Sequence, residues 1–217
     1  MQLQPAAFNR LLADMGQACH WRRAFLCPCR KPFSGAADHL CLNCNGLGTF
    51  WTKPVEAHTG LTGLKTAREW ASFGMWESGD VVWSVPSDSA LYGAGENDQV
   101  VMTNSEETWN ATLTRGAPDE RLPAYLVKVE DVFVLTGTGA EPTAKPGLAS
   151  MQAGGVPIWP EGQGPQQGQQ YSIRARRRPT FFIFKNLPQD RAHHGGRDLP
   201  RRVVGRRFEL FGAGQKE

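Results

Sequence analysis

The sequence predicts a mainly β protein: a β-sandwich or barrel-like body, preceded by a small N-terminal helix and a zinc-binding module. Three observations carry this expectation. The chain holds 24 glycines and 15 prolines in 217 residues, a usage that favours many turns and short strands over long helices. Short apolar runs with alternating character recur between those turns. All five cysteines fall before residue 45, so a metal module belongs at the start rather than throughout.

Pro5 to Met15 reads as a helix. Pro5 suits a first turn, Phe8, Leu11, Leu12 and Met15 repeat at helical spacing, and Gly16 is a stop. The cysteine segment runs from Cys19 to Trp51. A linker with Gly60 and Gly63 follows, then a helical turn at Thr66 to Trp70. From Trp76 onward strands and turns take over. Val81 to Val85 reads as a strand ended by Pro86, and Val100 to Thr103 as another. Trp109 to Arg115 alternates, and Tyr125 to Thr136 reads as two strands with a bend at Glu130-Asp131. Residues 137–170 are rich in Gly, Pro, Ala and Gln and predict a long loop or arm. Within it, Val156, Ile158 and Trp159 are placed to make one local contact. Tyr171 to Arg176 alternates again. Thr180-Phe181-Phe182-Ile183-Phe184 is the strongest strand signal. His193-His194 sits at the tip of a polar loop, and residues 202–204 and 207–211 close the fold. Two domains are expected: 1–56 for the helix and cysteine module, 57–217 for the β-rich body.

Net charge is +3, unevenly spread. Residues 51–169 carry seven basic and fifteen acidic side chains, whereas residues 170–217 carry twelve and four. Such halves can pair within a fold or between subunits. No apolar run approaches the ~18 residues of a membrane span. Met1-Gln2-Leu3-Gln4-Pro5 lacks the charged start and apolar run of a signal peptide, so synthesis in the cytoplasm is expected.

In a reducing compartment a tight cysteine cluster binds metal more often than it forms disulfides. Cys27-Pro28-Cys29 and Cys41-Leu42-Asn43-Cys44, eleven residues apart, supply the four thiolates of a tetrahedral zinc site. With four protein ligands there is no open position for water, so the zinc is expected to be structural. Four thiolates also suit an iron–sulfur centre. Cys19 is spare, and His20 or His39 could replace a cysteine.

No enzyme signature accompanies this cluster. Gly93-Ala94-Gly95 lacks the third glycine and flanking elements of a dinucleotide loop. His193-His194, Glu106-Glu107 and Glu130-Asp131 lack partner motifs and read as exposed polar groups. Arg174, Arg176, Arg177, Arg178, Arg201, Arg202, Arg206 and Arg207 could contact phosphate non-specifically, as DNA offers it, or pair with the acidic middle segment.

Two cysteine-bearing stretches, Trp21-Arg22-Arg23-Ala24-Phe25-Leu26-Cys27-Pro28-Cys29-Arg30 and Asp38-His39-Leu40-Cys41-Leu42-Asn43-Cys44-Asn45-Gly46-Leu47-Gly48, resemble virion proteins of the head–tail neck of tailed bacteriophages. The late stretches Arg178-Pro179-Thr180-Phe181-Phe182-Ile183-Phe184 and Leu199-Pro200-Arg201-Arg202-Val203 are similar as well. The cysteine block also looks like the zinc turns of co-chaperones. The phage resemblance implies a non-enzymatic structural part of the head–tail connector (neck or collar). It implies a ring-like oligomer that touches portal or other neck and tail proteins, within a virion made in the host cytoplasm. The competing expectations are a zinc-containing nucleic-acid-binding protein and an adaptor.

Overall fold

The computed structural model describes residues 4–14, 16–61, 77–134, 143–144, 155–159, 161, 164–187, 193–194 and 197–211. The helical turn expected at Thr66 to Trp70 and most of the 137–170 arm lie outside them. The chain is mainly β with a small N-terminal helix, as expected, and its largest sheet closes into a six-stranded barrel.

Helix α1 (Pro5–Asp14) leads into β1 (Gln17–Arg22), β2 (Ala24–Leu26), β3 (Thr49–Trp51) and β4 (Val55–Leu61). Then come β5 (Val81–Val85), β6 (Gln99–Met102), β7 (Glu107–Thr114), β8 (Leu126–Val134) and β9 (Thr143–Ala144). The chain continues through β10 (Gln170–Arg177), β11 (Thr180–Asn186), β12 (His193–His194), β13 (Arg197–Asp198) and β14 (Arg201–Arg207). By compactness the chain forms two units: Met1–Asn104 with Thr180–Glu217, and Ser105–Pro179. The helix, the cysteine segment and the barrel therefore share one unit, and the second is inserted between β6 and β11.

The barrel order is β1-β4-β5-β14-β11-β6, with every pair antiparallel. It consists of two three-stranded meanders, β1-β4-β5 and β6-β11-β14, joined along both edges. The cysteine segment interrupts the first hairpin of one meander, and the 105–179 unit interrupts the first hairpin of the other. Closure removes every free strand edge.

Alternate residues of each strand enter the core. Cys19 and Trp21 of β1, Trp83 and Val85 of β5, Val100 and Met102 of β6, Phe181 and Ile183 of β11 and Val203 of β14 pack together. Trp83 meets Phe181 edge to face at 5.3 Å between centroids. Trp83 also explains Gly205, because any Cβ there would collide with its indole ring. Leu91, on a 3-10 helix at Ala90–Gly93, joins the same core. Outside the barrel, Arg206 makes a two-pronged ion pair with the buried Asp80, at 3.0 and 2.9 Å. Its guanidinium lies 3.7 Å from the centroid of Phe184.

The inserted unit is a sheet of order β7-β10-β8-β9. One face carries the core residues Val132, Val134, Tyr171 and Ile173, with Leu122 and Trp159 packed on them. Tyr171 donates a 2.8 Å hydrogen bond to the buried Glu120, which also accepts the Gly116 N–H at 2.7 Å. The expected contact from the arm is made by Trp159, edge to face with Tyr171 at 5.3 Å, while Val156 and Ile158 stay exposed.

Several elements differ from expectation. The Glu130-Asp131 bend is a bulge inside one continuous strand, since Arg174 pairs with Asp131 and Ala175 with Val129. Residues 55–61, expected as part of a linker, form barrel strand β4. The sequence Val55-Glu56-Ala57-His58-Thr59-Gly60 hides this, being polar and ending in glycine. Phe208–Leu210 is a 3-10 turn rather than a strand. His193 and His194 pair with Asp198 and Arg197 in a short ladder.

Candidate metal centre

The cysteine segment is a stem and a knuckle. The stem is the β2–β3 ladder, in which Phe25 pairs with Phe50 and their rings stack at 5.7 Å. Hydrogen bonds between Thr52 N–H and the Arg23 carbonyl (3.0 Å), and between Cys27 N–H and the Gly48 carbonyl (2.9 Å), extend it in both directions. Asp98 fastens its base. Its carboxylate accepts the Ala24 N–H (2.8 Å), the Trp21 indole N–H (2.9 Å) and the Gly95 N–H (2.8 Å). Arg22 adds bonds from its guanidinium to the carbonyls of Thr52 (2.7 Å) and Trp51 (3.2 Å) and to the Gln99 side chain (3.1 Å). Trp51 leans edge-on against Phe208 and Phe211 and donates its indole N–H to Asn97 at 3.0 Å. The stem is therefore rigidly continuous with the barrel.

The knuckle gathers Cys27, Cys29, Cys41 and Cys44, whose sulfurs all lie within 4.8 Å of one another. Cys27 Sγ is 3.7 Å from Cys41 Sγ, and Cys29 Sγ is 3.5 Å from Cys44 Sγ. Tetrahedral ligands at the ~2.3 Å zinc–sulfur distance would stand ~3.8 Å apart. The sulfurs are too far apart for disulfides, which need ~2.05 Å. The four cysteines are thus close enough to hold a metal ion.

Backbone groups favour thiolates here. Cys44 Sγ accepts the Gly48 N–H at 3.2 Å. The N–H groups of Asn43 and Cys44 point at Cys41 and pull its thiol down to about 7. The Asp38 N–H acts on Cys29 in the same sense, but burial and the three neighbouring thiols outweigh it and push Cys29 up to about 12. Four sulfurs crowded around one point cannot all ionise without a cation between them. A metal ion bound among the four sulfurs would supply that cation. Gly46 and Gly48 have positive φ (80° and 66°), and a Cβ on Gly48 would strike Arg30 and Ala37. These glycines let the chain fold back under the sulfurs.

Cys19, His20 and His39 stand apart from the gathered set. Cys19 lies inside the barrel core, where burial raises its thiol to about 12. His20 belongs to β1, paired with Glu56 and Val101. The arginine runs are largely engaged. Arg174 and Arg176 hold Glu130, Arg177 holds Glu107, and Arg206 holds Asp80. The expectation of pairing with the acidic middle segment therefore has named partners, and Glu107 and Glu130 are ion-pair acceptors rather than idle carboxylates.

A feature missed in the sequence is the direction of the module's apolar side chains. Phe25, Leu26, Leu40, Leu47 and Phe50 are exposed, Phe33 is fully so, and Leu42 is 93% exposed. The apolar periodicity there is weak, so no pattern announced an apolar surface. Among the described residues, no helix is long and apolar enough to cross a membrane. No protein-family model matches the chain, and no curated protein matches it.

Proposed function

We propose that this chain is a non-enzymatic structural protein of a tailed-phage virion, part of the head–tail connector, whose zinc-clamped module is a docking head. Cys27, Cys29, Cys41 and Cys44 would hold one structural Zn²⁺, and the protein would assemble as a ring beside the portal. The observation that carries this reading is the outward apolar set of the module. A soluble monomer rarely exposes neighbouring large apolar side chains on a fixed frame, and such patches mark interaction sites. The frame is fixed by Asp98, Arg22 and Trp51, so the surface is presented in one orientation. The neck assignment itself comes from the resemblance of the cysteine and C-terminal stretches.

Mass photometry of the purified chain, alone and with a portal protein, tests the assembly. Oligomers or portal complexes are expected, and monomer under both conditions would sink the reading. Elemental analysis should give about one zinc per chain. Exposed Lys31 and Lys53 on the same module favour the alternative of a nucleic-acid-binding or adaptor protein. The nucleic-acid reading requires DNA affinity that falls steeply with salt.

A further inference from the structure

The four cysteines of the knuckle are of two kinds. Cys27 and Cys44 are buried, whereas Cys29 and Cys41 keep partial contact with solvent. Gly48 fixes the buried two, because its carbonyl accepts the Cys27 N–H and its N–H donates to Cys44 Sγ. The half-exposed two lie at turns, one closed by the Arg30 N–H on the Cys27 carbonyl and one by the Cys41 N–H on the Asp38 carbonyl, both at 3.1 Å. Each half-exposed sulfur has a buried sulfur beside it. Cys41 Sγ stands 3.7 Å from Cys27 Sγ, and Cys29 Sγ stands 3.5 Å from Cys44 Sγ. Both pairs span the loop, their members 14 and 15 residues apart.

A reachable thiol with a second thiol poised behind it is the arrangement that peroxide oxidation uses to form a disulfide. We propose that Cys27 with Cys41, and Cys29 with Cys44, are sites of reversible oxidative modification, at which a hydroperoxide converts four thiolates into two cross-loop disulfides and expels the metal. This rests on the zinc reading above and adds its regulation. With hydrogen peroxide, the Cys41 thiolate attacks one peroxide oxygen and the O–O bond breaks. The departing hydroxide takes a proton from solvent and becomes water. The Cys27 thiolate then attacks the sulfur of the Cys41 sulfenic acid. An S–S bond forms, the S–O bond breaks, and a second hydroxide leaves as water. Cys29 and Cys44 react in the same way. Each pair loses two electrons to one peroxide, and the second disulfide leaves Zn²⁺ no thiolate ligand.

The local bridges are disfavoured. A Cys27–Cys29 disulfide would close across Pro28 alone, whose ring fixes φ, far from relaxed disulfide geometry. A Cys41–Cys44 disulfide would leave Cys27 and Cys29 with only that strained option. Each cross-loop pair needs its sulfurs to approach by only ~1.5 Å to reach the ~2.05 Å bond. The products tie the loop at the same two places as the metal, so the module keeps its shape. A protein made in a reducing cytoplasm and carried out of it in a virion would meet both conditions.

The test uses the full chain, purified under reducing conditions with its metal and titrated with hydrogen peroxide. A colorimetric chelator reads zinc release, and mass spectrometry of non-reduced digests reads the bridges. One zinc should be lost for every two disulfides formed. The peptide bearing Cys27 and Cys29 should be joined to the one bearing Cys41 and Cys44, and fragmentation should assign Cys27 to Cys41 and Cys29 to Cys44. Cys19, in the barrel core, should stay reduced. Hydrogen exchange should show β2 and β3 protected in the oxidised, metal-free chain and unprotected in the reduced, chelated one. Dithiothreitol with added zinc should restore the starting state. A Cys41–Cys44 bridge, sulfinic or sulfonic products without cross-loop bridges, or zinc and thiols that survive excess peroxide would overturn the proposal while the zinc reading stands. Reduced protein that is folded and free of zinc would sink the zinc reading, and the bridge map would then decide the pairing by itself.

Discussion

The barrel and the cysteine module belong to one compact unit, yet they use apolar residues in opposite ways. The barrel turns Trp21, Trp83, Val100, Phe181, Ile183 and Val203 inward and leaves them almost without solvent contact. The module turns Phe25, Leu26, Phe33, Leu40 and Leu42 outward and buries mainly Cys27, Cys44, Gly48 and Thr49. One region has a hydrophobic core; the other has four sulfurs at its centre. A segment that lacks a core needs another source of order, and metal binding is the source its donor set fits. Its apolar side chains are then left for contact with something else.

Removing the metal proposed for the four-cysteine site should break the comparison most strongly. Structural zinc contributes about 10–16 kcal/mol of apparent binding free energy in small modules. Chelation, or Cys44→Ser, is therefore expected to unfold residues 24–51 while the barrel persists. Hydrogen exchange should show lost protection in β2 and β3 and retained protection in β11 and β14. Loss of both regions together would mean that the module is not separately ordered. Thiol labelling after chelation should modify four cysteines, with Cys19 reacting only on global unfolding because its thiol is buried and held at about 12.

Next in size are changes within the barrel. Trp83→Ala removes the largest fully buried side chain among the described residues and should cost about 3–5 kcal/mol. Asp80→Ala removes the buried carboxylate that pairs with Arg206 and should cost about 3–5 kcal/mol. Denaturant titrations read both, and zinc content should be unchanged in each variant that remains folded.

The inserted unit offers a smaller, pH-dependent effect. Burial and the hydrogen bond to Glu120 raise the Tyr171 hydroxyl well above the ordinary tyrosine value of ~10. Because the folded value is the higher one, this contribution is complete below pH 10 and fades as pH rises further. Stability should fall by about 1.4 kcal/mol per pH unit above 10. Tyr171→Phe should flatten that alkaline limb in a thermal-melt series, and an unchanged limb would count against the assignment.

The smallest effect sharpens the contrast. Phe33→Ser and Leu42→Ser replace large apolar residues, as Trp83→Ala does, yet should alter stability by less than about 0.5 kcal/mol. A loss of several kcal/mol at either position would mean that these side chains belong to a core after all.

Much of the site was legible in the sequence because spacing and residue type define it. Two close cysteine pairs can reach one point through almost any connecting loop, so the ligand set needs no knowledge of the fold. The strong strands were legible for a similar reason. Val81 to Val85 and Thr180 to Phe184 are β-branched and aromatic runs that have few alternatives. β4 was not legible, because a strand of Glu56, His58, Thr59 and Gly60 is identified by its neighbours β1 and β5 rather than by its own pattern. The Glu130 bulge was visible as a bend but not as a bulge, since only pairing with β10 shows that the strand continues.

The sequence by itself determined the mainly β character, the small helix and the four thiols, all properties of local composition and spacing. The tertiary structure decided the closed barrel, the insertion of residues 105–179 between two paired strands, and the facing of each apolar residue. Those depend on hydrogen bonds and contacts between residues far apart in the chain. The direction in which Phe33 and Leu42 point is set by Asp98 and the knuckle rather than by their own neighbours, and no local periodicity encodes it.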